Sequence, residues 1–128
     1  MLERPDDRLG RRTRTWSVPI SEAAREHLVR ASRILEDESE LYTLPDSLSG
    51  PEVAADLQRI RRKLGGRFDA SPREINLALA ALTVAAERDP DMREGALALA
   101  DRLWGKGGDL EIKFESGKWV ARRHDIEL

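Results

Sequence analysis

Two histidines, His27 and His124, are the side chains best placed to exchange protons near neutral pH or to bind a metal through imidazole. Neither has a second histidine at ligand spacing, and adjacent helical neighbours such as Glu26 and His27 point in different directions, so both read as surface residues. The chain has no cysteine, which excludes thiolate metal sites and disulfides. No Gly-x-Ser-x-Gly nucleophile elbow occurs. The segment Gly105-Lys106-Gly107-Gly108 resembles part of a phosphate loop, but such a loop needs a Gly separated by four residues from its Gly-Lys and a Ser or Thr behind it. Ala100 and Gly107 occupy those positions, and the segment closes a helix, so it reads as a linker. Asp and Glu total 24, too many for any one pair to mark an acid–base site, and none lies in an apolar run that would shift its pKa by burial. No enzyme activity, metal, cofactor or small-molecule substrate is therefore expected. The chemistry that remains is binding.

Local positive charge offers one binding surface. Arg11, Arg12 and Arg14 lie near the N-terminus, and Arg59, Arg61, Arg62, Lys63 and Arg67 surround the end of a helix. Phosphate contacts require such clusters. Cations at a helix C-terminus are also favoured by the macrodipole, and consecutive positions spread around the helix. The net charge of −2 gives no bulk attraction for nucleic acid. Trp16, Trp104 and Trp119 each fall on the apolar phase of their element, which points to core or interface packing where strand, fourth helix and hairpin converge.

The elements that must hold these residues are mostly legible. Residues 109–123 predict a β-hairpin: Leu110, Ile112 and Phe114 alternate with Glu111, Lys113 and Glu115, and Ser116-Gly117 supplies a two-residue turn. That turn pairs Glu115 with Lys118 and Phe114 with Trp119. Residues 1–12 are polar and read as a flexible arm, leaving 13–128 as one domain. Thr13–Val18 alternates as a short strand, with Thr13, Thr15 and Ser17 on one side and Arg14, Trp16 and Val18 on the other. Pro19 suits its end or a sheet edge, and one alternative for the strand is to pair with the hairpin in a small antiparallel sheet that covers the bundle. Ser21 caps a helix over 22–37. Ser49, Pro51 and Glu52 form a capping pattern for a second helix stopped by Gly65-Gly66. Ser71, Pro72 and Glu74 open a third, and Asp89-Pro90 ends it and leads into a fourth that carries Met92, Ala96, Leu99 and Leu103.

The third helix sets the architecture. Between Ile75 and Ala86 only Asn76 and Thr83 are polar, and a helix apolar on all sides must be enclosed by its own chain or by a partner. The expected fold is mainly α: a four-helix core around this central apolar helix, with a C-terminal hairpin and a short N-terminal strand. The expected function is non-enzymatic protein–protein interaction or assembly, with self-association through Leu77, Ala81 and Val84, if these are exposed, and Trp119 beside them.

The alternative is a DNA-binding regulator of bacterial or phage type. A strand over Thr13–Val18 leading through Pro19 and Ser21 into an amphipathic helix resembles the N-terminal unit of ribbon-helix-helix repressors, over about residues 13–36. The resemblance implies that Thr13, Thr15 and Ser17 face DNA while Trp16 and Val18 face the core, with Arg11, Arg12, Arg14, Arg59, Arg61 and Arg62 as phosphate contacts. The loop after that helix is longer than the family's turn, and two further helices and a hairpin have no counterpart there. A winged helix is the other DNA reading, with the hairpin as wing, but its recognition helix would have to be the apolar third one. No apolar run reaches transmembrane length, and residues 1–20 lack a signal-peptide core, so a cytoplasmic protein with no membrane partner is expected.

Overall fold

The computed structural model describes residues 16–38, 52–104, 106 and 110–123. Along them run strand β1 (Trp16–Pro19), helices α1 (Glu22–Glu38) and α2 (Val53–Lys63), strand β2 (Arg67–Ala70), helices α3 (Pro72–Arg88) and α4 (Arg93–Leu103), and strands β3 (Leu110–Glu115) and β4 (Lys118–Arg123). The chain is mainly helical, with the expected hairpin and N-terminal strand. The proposed arm 1–12, Thr13, Thr15, the Ser49 and Pro51 signals, most of the 105–108 linker and His124 lie outside the described residues.

Local chemistry explains where the helices begin. Ser21 Oγ accepts the Ala24 N–H at 3.1 Å, which opens α1. Ser71 and Glu74 form a complete capping box at α3, with Pro72 in the first turn. Helix α2 starts later than the Ser49 pattern predicts, with Glu52 at its N-cap and no side-chain cap. Asp89 and Pro90 do not open α4 directly. They form a turn in which Asp89 Oδ1 accepts the Asp91 N–H, and Met92 is the N-cap.

Helix α3 is the centre of the molecule. Every side chain from Glu74 to Ala86 is buried. Helices α1, α2 and α4 and strands β2 and β3 all pack on it. The enclosure is therefore supplied by the chain itself, and each large apolar side chain removed from water there contributes about 1.5–3 kcal/mol.

Strand β1 does not lie beside the hairpin. It pairs antiparallel with β2, Val18 opposite Phe68 and Ser17 opposite Asp69, and the ribbon continues through the Ile20 N–H donating to Gly66 O at 2.8 Å. Val18, Phe68 and Ala70 face the core, whereas Ser17, Pro19, Arg67 and Asp69 face solvent. The cause is local. After Leu64 the backbone becomes extended, Gly65-Gly66 reverses it, and only four residues separate that reversal from the Ser71 cap.

The hairpin has the expected register, Glu115 opposite Lys118 and Phe114 opposite Trp119. Ser116 (φ 54°) and Gly117 (φ 82°) both adopt positive φ, the type I′ geometry that matches strand twist. One expectation fails on the polar face. Glu111 is fully buried, although alternation alone places it with half-buried Lys113 and exposed Glu115.

Candidate functional site

The carboxylates expected to remain on the surface include three that are buried, Asp56, Glu74 and Glu111. Two of them organise the basic cluster. Arg59 reaches Asp56 at 2.8 Å and Glu74 at 3.5 Å, Lys63 reaches Glu74 at 2.8 Å, and Arg73 reaches Asp56 at 2.9 Å. Arg61 bonds Glu36 at 2.6 Å and Ser32 at 3.0 Å, joining α2 to α1. Burial pushes the Glu74 carboxyl up, but the Lys63 ammonium, the Ser71 N–H and the Arg59 guanidinium outweigh it, and the net shift is down. Glu36 is also lowered, first by the Gln58 amide and then by Arg61. The hydrogen bond that Arg59 donates to the Asp56 carboxylate holds its guanidinium above its ordinary value. Arg59 and Arg61 thus stitch helices together, while Arg62 stays exposed.

The other residues singled out for nucleic acid are dispersed. Ser17 is exposed on β1, but its hydroxyl and carbonyl accept hydrogen bonds from Arg67 at 2.6 and 3.1 Å. Arg11, Arg12, Arg14, Thr13 and Thr15 lie outside the described residues. His27 packs on α4, where a Cβ built at Gly95 would lie 2.3 Å from its Nε2, so glycine permits the close approach of α1 and α4. Among the described residues no group of three or more His, Asp and Glu side chains comes together at metal-binding distance.

Of the residues expected to meet a partner, Leu77, Ala81 and Val84 are fully buried and are not available as a docking face. The physical reason is that α3 is covered on every side by the chain's own elements, an outcome that periodicity cannot distinguish from burial by a neighbour. Trp119 is half-buried and meets Phe114 edge-to-face at 5.0 Å. Trp16 and Trp104 also pack against the core, with Lys106 over the first ring at 5.9 Å and Lys113 over the second at 4.8 Å.

The polar atoms of α3 hold the hairpin. Asn76 Oδ1 accepts the Ile112 N–H at 3.1 Å, Thr83 Oγ1 accepts the Phe114 N–H at 2.8 Å, and Glu87 Oε2 accepts the Ser116 N–H at 3.2 Å. The first two are outward N–H groups of β3 and the third belongs to the turn; a lone ribbon would leave all of them to water.

A groove of about 350 Å³ opens where α3, α4 and β3 meet. Leu79 and Ala86 come from α3, Leu97, Ala100 and Trp104 from the α4 side, and Phe114 from β3. Leu97, on its lip, is the exposed large hydrophobic among the described residues, at 38%. Arg93 and Lys113 bring positive charge to the rim, and Glu87, Asp101 and Glu115 bring negative charge. The sequence reading missed this site because it forms between three elements and Leu97 lies off the main apolar stripe of α4. Apolar side chains and charges of both signs share the lining, and one large apolar side chain is exposed beside them, an arrangement suited to docking. In comparison with known proteins, the chain matches no protein-family model, no curated protein and no solved structure.

Proposed function

We propose that this chain is a small non-enzymatic assembly subunit that associates with a second copy of itself through the groove between α3, α4 and β3. The observation that carries the reading is exposed Leu97 beside a groove lined in part by Trp104 and Phe114. In a two-fold interface each copy presents the same patch, so Leu97 of one copy enters the groove of the other. The rim suits such an arrangement, because Arg93 and Lys113 of one copy can face Glu87, Asp101 and Glu115 of the other. No helix among the described residues is long and apolar enough to cross a membrane, and the lack of cysteine is compatible with a reducing cytoplasm, which we take as its compartment.

With one Leu anchor per copy the association is weak, with dissociation on the order of micromolar to millimolar. Light scattering across that concentration range should show the mass rising from monomer towards dimer. Leu97→Asp should stay monomeric with unchanged helical circular dichroism. A monomeric wild-type mass at every concentration overturns the proposal. The alternative, a DNA-binding regulator, draws on Arg62 and the N-terminal arginines once Arg59 and Arg61 are committed to carboxylates. Adding duplex DNA to the same samples tests it.

A further inference from the structure

The two edges of the hairpin are treated differently. A two-residue turn makes Glu115 and Lys118 a hydrogen-bonded pair, and alternation then makes Lys113–Val120 and Glu111–Arg122 hydrogen-bonded pairs as well. Ile112 and Phe114 on β3, and Trp119 and Ala121 on β4, consequently point their N–H and C=O groups outward. On β3 the outward N–H groups are taken by Asn76 and Thr83. On β4 the N–H groups of Trp119 and Ala121 meet no partner among the described residues, because the sheet ends there. An open strand edge is a template for another strand.

Charge indicates which strand. Lys118, Arg122 and Arg123 give β4 three cations, and it has no acidic residue. Antiparallel pairing of β4 with its own copy about Val120, the register that opposes Trp119 to Ala121, would set Lys118 against Arg122, which like-charge repulsion disfavours. The same cations attract an acidic segment. We propose that the free edge of β4 accepts an extended acidic segment of a partner protein as a third strand. Main-chain hydrogen bonds to Trp119 and Ala121 would supply affinity, and the cations of β4 would select for Asp and Glu. This surface is separate from the Leu97 groove and does not depend on it.

The test uses the full chain and a capped six-residue peptide of alternating Glu and Val, with a Lys-Val peptide as control. Binding is followed by amide chemical shifts, and hydrogen exchange is read at Trp119 and Ala121. The Glu-Val peptide should bind, slow exchange at both amides and weaken as salt rises; the Lys-Val peptide should not bind. Ala121→Pro removes an outward donor without removing a ladder hydrogen bond, a position where an edge strand tolerates proline. It should weaken binding at least tenfold while the Phe114 and Ile112 amides stay protected. Lys118→Gln, which removes the cation without setting a carboxylate opposite Glu115, should also weaken binding and leave the hairpin register intact, which covers the event that the proline variant misfolds. Leu97→Asp should bind the peptide as wild type does, even where it abolishes self-association. Absence of binding at about millimolar peptide overturns the proposal. So does binding that is lost in Lys118→Gln but unaffected by Ala121→Pro, which would indicate attraction of a polyanion without strand addition. Shifts confined to the α4 groove overturn it as well.

Discussion

Replacing Thr83 by valine keeps the shape of the side chain and removes the oxygen through which α3 holds the hairpin. The hydroxyl proton is directed to Leu79 O at 2.7 Å, so a lone pair of Thr83 Oγ1 is left to accept the Phe114 N–H. Valine leaves that N–H without its acceptor in a partly buried contact, and an unsatisfied buried group costs about 1–3 kcal/mol. Relief from burying the hydroxyl recovers part of this. Thr83→Val should therefore lower unfolding free energy by about 1–2 kcal/mol in urea titrations, and exchange at the Phe114 amide should accelerate. Thr83→Ser, which retains the oxygen, should stay much closer to wild type. Equal stability of the valine variant and wild type would remove the hydrogen bond from the account of how the hairpin is held.

At the scale of elements, the turn makes the comparable demand on backbone. Gly117 sits at φ 82°, and a Cβ there meets no heavy atom within 4 Å, so any penalty for alanine is conformational and not steric crowding by neighbours. Gly117→Ala should destabilise by about 1–2 kcal/mol, the cost of placing an L side chain in the left-handed region. The same substitution at Gly65, which is not held at positive φ, should cost less in a matched thermal melt. A similar loss at both sites would count against the turn assignment. The hairpin was legible because its period, its turn residues and its charge pairs agree on one register. Helix α3 was legible as an enclosed element for a comparable reason, since twelve residues with two polar side chains leave no face for water. Strand β2 was not, because four residues between a glycine pair and a helix cap are too few to establish a period. The groove was equally hidden. Its lining comes from elements brought together only by the packing of α4 and β3 on α3, and the ion pairs that commit Arg59 and Arg61 likewise depend on which helices meet.

For the whole molecule, acid is the condition that tests how those helices are joined. Glu74 receives Lys63 from α2 and Glu36 receives Arg61, so each carboxylate ties two helices together. Both have folded-state pKa values below the ordinary 4.5. A lowered folded value means that the unfolded chain takes up protons first as pH falls. The stabilisation is then fully present above the unfolded value and is lost as pH drops through the lowered folded values. Stability should therefore be nearly level with pH above about 5.5 as far as these groups are concerned, and fall at more acid pH. Glu74→Gln isolates one of them. At pH 7 it should cost about 1–2 kcal/mol, a value discounted because Lys63 and Arg59 remain partly solvated. At pH 3 the gap to wild type should narrow, since protonation removes the charge from the wild-type carboxyl as well. Glu36 still titrates in the variant, so its acid limb should become shallower without disappearing. Urea unfolding of both proteins at a series of pH values reads this directly, and a gap that stays constant from pH 7 to pH 3 would mean that the charge on Glu74 does not contribute to joining α2 with α3.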